Sequence, residues 1–418
     1  MTMTTSPPAT GSPSRGSGIL PWARRNVWPL GFTAAAVLFF VLYQWVLANM
    51  SGPVPDFFDR WLPLSVVNQC IIWAIMAVGL NIVVGYAGLL DLGYVAFWAI
   101  GGYTAGWLMS GFFDSATVSV FGHAAAGQPH GIHINFWLVL IIAGVHTALW
   151  GLLIGAPTLR LKSDYLALVT LGFGEIIPEF FKNGDNLGGF NLTNGTRGIT
   201  PLDAIPTGPF QYLSSGSLPI PAELGPFDES LKFVVYALIA AFVIFVSLRI
   251  REGRLGRAWL AIREDELAAS MMGVPLMRTK LAAYAVGAAI GGIGGVCYTS
   301  AVGSIAAEDF AFSSSIILLA MVVLGGMGNV WGVMIGALVL QWINGNGLKE
   351  LGNTITSATG HDINFPSYNF LVFGAILILM MLFRREGLLP ESRTRQVLQE
   401  PERGQLESVG ADLEGDPA

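Results

Sequence analysis

Ten stretches of this chain are apolar over a length that can cross a bilayer, and this restricts the fold more than any other feature. A hydrocarbon core about 30 Å thick takes about 20 apolar residues per helix, with about 17–25 usual. The candidates are 27–48, 64–83, 92–110, 136–158, 164–181, 233–250, 281–303, 311–328, 330–347 and 368–383. Nine lack Lys, Asp and Glu in their apolar cores, with Arg249 at a boundary; 164–181 carries Glu175 and Glu179. Glycine interrupts 92–110, 311–328 and 330–347. Backbone groups in lipid must be satisfied internally, so long apolar runs become helices. The expected fold class is all-α, a polytopic membrane bundle of about ten transmembrane helices, some of them broken.

Charge is scarce and unevenly placed. Only 12% of residues are charged, against about 25% in ordinary soluble proteins. A single soluble domain and a disordered chain are both excluded. Residues 249–280 hold 11 of the 50 charges and residues 384–418 hold 13. The net charge of −6 offers no basic surface for nucleic acid. Cys70 and Cys297 lie in apolar stretches, where a thiol behaves as a small hydrophobe. The first apolar run outlasts a signal-peptide core of about 7–15 residues and reads as a retained helix.

Basic residues favour cytoplasmic loops. With ten spans and an inside N-terminus, the inside segments hold 17 Lys and Arg and the outside segments 5. Both termini are therefore expected in the cytoplasm, with 111–135 and 184–231 as outer loops. Residues 1–26 read as a disordered N-terminal segment, 27–385 as the transmembrane domain and 386–418 as a disordered acidic tail.

Small residues let membrane helices approach closely. Gly287, Gly291, Gly295, Thr299 and Gly303 recur every four residues, as do Gly328, Gly332 and Gly336. Both series read as packing stripes. Polar residues inside spans serve as interhelical glue or line a solute pathway; Asn68, Gln69, Asn81, Asp91 and Glu175 are the pathway candidates. Glu175 and Glu179 share one helix face, and Pro178 is expected to kink or end that helix. Asp91 follows a glycine-rich turn where a helix breaks. His123, His130 and His133 fall in an exposed outer loop, with no carboxylate arrangement for a metal. Asn191-Leu192-Thr193 and Asn194-Gly195-Thr196 fit a glycosylation pattern that matters only in a eukaryotic secretory setting.

The segment 249–280 is apolar at helical spacing from Trp259 to Met272, with Glu264, Asp265 and Glu266 in the middle. A short amphipathic helix at the membrane surface fits this pattern. Glu266-Leu267-Ala268-Ala269-Ser270-Met271-Met272-Gly273 resembles the EAA loop of ATP-binding-cassette importer permeases. One residue separates the carboxylate from the alanine pair, and Pro275 comes early. The resemblance gives Glu264, Asp265, Glu266, Ala268, Ala269 and Gly273 as the ATPase-coupling residues.

Further blocks carry the likeness. Gly85-Tyr86-Ala87-Gly88-Leu89-Leu90-Asp91-Leu92-Gly93-Tyr94-Val95-Ala96-Phe97 resembles the early glycine-rich segment of the LivM family of branched-chain amino acid permeases. Leu159 to Ile176, Ala261-Ile262-Arg263-Glu264-Asp265-Glu266 and Met321-Val322-Val323-Leu324-Gly325-Gly326-Met327-Gly328 follow in family order. The resemblance implies an inner-membrane permease subunit with no cofactor of its own. Its implied partners are a LivH-like second permease, LivG- and LivF-like ATPases, an extracytoplasmic binding protein and membrane lipid. The chain contains no G-x-x-x-x-G-K-[ST] loop, so no phosphate cradle of that kind and no catalytic residue is assigned. Urea or short-amide permeases are the neighbouring alternative. An ion-coupled transporter using Glu175 is a more distant one, and a membrane enzyme lacks any nucleophile–base pair.

Overall fold

The computed structural model describes residues 60–114, 117–120, 130–161, 163–203, 205–206, 223–224, 229–359, 365–384 and 387–389, with scattered positions between 31 and 57. The expected N-terminal segment 1–26, most of the span 27–48, His123, much of both outer loops and the tail beyond 389 lie outside the described residues.

The chain is mostly helical. Helix α1 (Leu64–Asn81) continues as a π turn, Ile82–Tyr86, and α2 spans Val95–Leu108. Strands β1 (Met109–Ser110), β2 (Thr117–Val120) and β3 (Gly131–Ile134) precede α3 (Phe136–Thr158) and α4 (Ser163–Lys182). Strands β4 (Ile205–Pro206) and β5 (Glu223–Leu224) lead to α5 (Glu229–Glu252), α6 (Arg254–Glu264) and α7 (Glu266–Met271). Then come α8 (Leu276–Val302), α9 (Phe312–Gly325), α10 (Val330–Trp342) with a π turn at Ile343–Gly347, α11 (Leu348–Thr359) and α12 (Asn369–Phe383).

Helices α1 and α8 form the centre. From Cys70 to Asn81 every residue of α1 is buried, and α8 packs on α1, α2 and α3. The glycines of α8 make that approach possible. Gly287 lies against Gly79 and Val83, Gly291 against Tyr94 and Phe97, and Gly295 against the backbone of Trp98 and Gly102. A side chain at 295 would meet backbone, which cannot move aside. Trp98 fills the adjoining space, edge-on to Trp73, Tyr298 and Phe310 at centroid distances of 5.2, 4.9 and 5.2 Å.

Spans and helices agree best where the apolar run is unbroken: 136–158 coincides with α3, which Asn135 caps by accepting from the Trp137 amide. Among the described residues five helices are long and apolar enough to cross a membrane. Helices α2 and α9 are shorter. Each has 14 residues, about 21 Å at 1.5 Å per residue, less than the hydrocarbon thickness. Their starts meet inside the bundle, where the Val95 amide donates to Ser315 Oγ at 3.0 Å.

Three local expectations need correction. Pro178 does not end its helix, since α4 runs from Ser163 to Lys182 with Pro178 inside. Gly328 is not part of a helical stripe. It sits in the α9–α10 turn at φ 90°, beside Gly326 at φ 109°, a backbone conformation open to glycine. Gly332 and Gly336 do pack closely, against Gly325 of α9. Third, His133 is not exposed. It lies in β3, buried, with Nδ1 2.8 Å from an Asp203 carboxylate oxygen. Strand β3 pairs antiparallel to β1 and parallel to β2, so the otherwise helical fold carries a small sheet at this end.

Candidate functional site

The loops gather at two ends. At the His133 end, the Asp203 amide donates to the Met109 carbonyl at 2.8 Å, and Ile199 and Ile305 exchange backbone hydrogen bonds. At the other end the segment 253–275 folds over the π turn of α1, and this is the candidate site.

The sequence suggested one amphipathic helix here; the structure has two, separated at Asp265. Asp265 is extended (φ −157°, ψ 112°), and its Oδ1 accepts from the amides of Leu267 and Ala268 at 2.8 and 3.0 Å. Asp is a favoured N-cap because its side chain satisfies amides that have no partner in the first turn. Preceding α6 is anchored from beneath. Trp259 is fully buried and donates from Nε1 to the Thr279 carbonyl at 2.8 Å. Arg263 donates to the Gly85 carbonyl in the π turn, and its stem covers Gly88 (φ 69°). A hydrogen bond from a charged group contributes about 1.5–3 kcal/mol.

Helix α7 is held at three points and otherwise open. Asp265 caps it, Ala269 is buried under it, and Glu266 accepts from Lys280 Nζ of α8 at 2.5 Å. Around these, Leu267, Met271 and Met272 stand 68%, 78% and 86% exposed. Gly273 turns the chain away at φ 84°. Unbranched methionines adapt to a partner surface. The three acids therefore differ in role: Glu264 closes α6, Asp265 caps α7 and Glu266 ties α7 to α8. Ala268 is exposed and Ala269 buried, so the alanine pair faces both ways.

Beneath this segment several polar groups fasten the bundle. Asn81 Oδ1 accepts from the Gly328 amide at 2.9 Å, joining α1 to the α9–α10 turn. Asp91 is buried, and its Oδ1 accepts from the Gly93 amide at 2.9 Å, closing a tight turn. Asn68, at the opposite end of α1, donates to the Glu229 carboxylate and carbonyl at 2.7 and 3.0 Å. Gln69 is half-buried beside Gly345. Asn68, Asn81 and Asp91 are thus tied into the bundle, and each keeps one buried polar atom without a hydrogen bond, Asn68 Oδ1, Asn81 Nδ2 and Asp91 Oδ2.

Glu175 is different. It lies exposed on α4 and makes no hydrogen bond or ion pair among the described residues. Glu179, one turn on, accepts from Asn183 Nδ2 at 2.8 Å and lies 4.0 Å from Lys182.

Sequence reasoning missed the links from α6. Trp259 and Arg263 are four residues apart, and that spacing was a signal that both point to one face. It missed the strap at 387–389 as well, placed in the tail. There the amides of Leu388 and Leu389 donate to the carbonyls of Leu324 and Gly325 at 2.8 and 3.1 Å, and Asn329 Nδ2 donates to the Leu389 carbonyl at 3.0 Å.

Residues 62–381 match the family of the branched-chain amino acid transport system permease component. The chain is 33% identical to the high-affinity branched-chain amino acid transport permease LivM of Escherichia coli K12, covering 79% of this chain and 70% of that protein. It is 25% identical to a probable LivM of Methanocaldococcus jannaschii, with 79% and 95% covered. The LivH permease of Salmonella typhimurium is 24% identical, with 78% and 93% covered. No solved structure matches the chain.

Proposed function

The chain belongs to the branched-chain amino acid transport permease family, and on that premise we propose that it is one membrane subunit of an ATP-driven importer. Its cargo is a branched-chain amino acid or a close chemical relative. It sits in the inner membrane of a bacterium with ten spans and both termini in the cytoplasm. The segments 1–26 and 386–418 then flank a permease domain over 27–385. Its partners are a LivH-like permease, LivG- and LivF-like ATPases and an extracytoplasmic binding protein. The chain hydrolyses no ATP and holds no cofactor.

The observation that carries this reading is the mechanical path from α7. Its apolar tip is exposed, while α6 is bonded to the place where α1 breaks. An ATPase gripping Leu267, Met271 and Met272 would push on two membrane elements. Arg263 and Trp259 transmit to the π turn of α1 and to α8, and Lys280 transmits to α8 directly. Because Gly85 precedes the non-helical stretch leading to α2, a small rotation there redirects a half-length helix. Substrate delivered at the His133 end would then leave at the Arg263 end.

The test is uptake of labelled leucine into right-side-out vesicles that contain the whole system, with the binding protein outside and ATP inside. Uptake should require the binding protein and ATP, and fall to background without this chain. Uptake that persists without ATP but follows a proton gradient overturns the reading. Uptake of urea but not leucine overturns the assigned cargo.

A further inference from the structure

Helices α3, α12 and α4 present long faces away from the bundle, and they differ in chemistry. On α3 the most exposed residues, Ile141, Val145, Leu149 and Leu153, are aliphatic, joined by the less exposed Trp137 and Trp150. On α12, Leu371, Ile378, Leu382 and Phe383 continue the same theme. These faces suit lipid. On α4 the exposed or half-exposed positions at intervals of three and four are Tyr165, Leu168, Gly172, Glu175, Ile176 and Glu179. That stripe mixes a small residue, aromatic and aliphatic groups and two carboxylates.

Within the span 164–181 expected from the sequence, Glu175 lies away from both ends. It lies twelve residues after Ser163 and seven before Lys182, roughly 18 Å and 10 Å along the axis. Its neighbour Gly174 packs on Gly93 and Phe312, in the region where the two half-length helices begin. A short carboxylate side chain has little reach to water from there. Membrane carboxylates consequently face protein or a water-filled space. Small residues and polar side chains mark helix–helix contacts in lipid. Gly172 has nothing within 4 Å of where a Cβ would stand, so a neighbouring backbone can approach. Next to it, Glu175, Ile176, Glu179, Phe180 and Asn183 border an open depression of about 550 Å³.

We infer that this face of α4 is the seam with a second, different permease chain, which places a cation or hydrogen-bond donor opposite Glu175. A second copy of this chain fits poorly, because a two-fold pairing sets the same patch against itself and brings four carboxylates together in the membrane. A dissimilar chain removes that repulsion and supplies the missing partner. The inference rests on the importer reading above and says which surface the second permease covers.

The test uses the full complex in native membranes. Single cysteines are introduced as L168C and I176C on α4 and as L149C on α3; the native Cys70 and Cys297 are buried and give little background. After labelling with a maleimide–benzophenone and illumination, L168C and I176C should form adducts with a different permease-sized chain, identified by mass spectrometry. L149C should give at least tenfold less. In parallel, E175L should retain under a tenth of the second permease on co-purification, and E175Q at least half. Adducts no stronger than those of L149C, adducts with a second copy of this chain, or unchanged co-purification in E175L overturn the seam. If no second permease accompanies even the wild-type chain, the importer reading fails and the seam with it. A second permease that co-purifies but ignores α4 overturns the seam alone.

Discussion

Helices α6 and α7 are neighbours in one surface segment, yet they solve opposite problems. Helix α6 is fixed to the bundle: Trp259 is fully buried, Ile262 is buried and Arg263 reaches across to the π turn of α1. Helix α7 keeps its largest apolar side chains in solvent, with only Ala269 buried. A docking element built like α6 would have no surface to offer. One built like α7 throughout would move without dragging the membrane helices along. On the proposed reading the break at Asp265 lets one short segment do both, and substitutions on either side of it should fail in different ways.

The largest effect should come from Trp259→Ala. Removing a buried tryptophan costs about 3–5 kcal/mol, and the Thr279 carbonyl loses its donor as well. Thermal unfolding of the purified chain should shift down markedly, and its abundance in membranes should fall. A change within about 0.5 kcal/mol, the usual result at a surface site, would mean that α6 is not anchored.

Arg263→Met should be smaller in stability and larger in function. The loss of one charge-assisted bond is about 1.5–3 kcal/mol, and the exposed face of α7 is untouched. ATPase subunits should still co-purify, while uptake per ATP hydrolysed drops about tenfold. Loss of ATPase binding together with uptake would erase the proposed division between the two helices.

Which parts of this comparison could be read in the sequence follows from distance along the chain. The acidic and alanine positions 264–273 form a local pattern, so the candidate site was visible as a motif. The Arg263–Gly85 bond joins residues 178 apart, and no local pattern reports such a pairing. The same limit hid the burial of His133, whose partner Asp203 is 70 residues away. Long apolar runs gave α3 its ends because hydrophobicity alone fixes a span. They overreached at Gly328, since a four-residue spacing continues through a turn whose φ is positive. They also overstated α2 and α9, whose short lengths depend on where the chain dips into the bundle beside Ser315 and Gly174.

On the exposed side, the double change Met271→Asp with Met272→Asp should leave unfolding within about 0.5 kcal/mol of wild type, as surface sites do. Its effect belongs to association. Central apolar contacts at an interface contribute more than about 1 kcal/mol each, so ATPase co-purification should weaken tenfold or more. Unchanged co-purification would move the docking surface elsewhere and leave α7 as a simple connector.

Gly273→Ala isolates the smallest contribution. Nothing lies within 4 Å of the position a Cβ would occupy, so packing is not at issue. The backbone is at φ 84°, where an L side chain is disfavoured by about 1–2 kcal/mol. The segment can relax by opening the turn between α7 and α8, which would tilt α7 about its Glu266–Lys280 tie. Stability should fall by about 1 kcal/mol, and ATPase association should weaken only a few-fold. Because α6 is untouched, uptake per ATP hydrolysed should stay at the wild-type ratio in the complexes that do form. A drop in that ratio would show that the turn at Gly273 itself carries the stroke, and that the anchoring by α6 is not the sole route from the surface into the bundle.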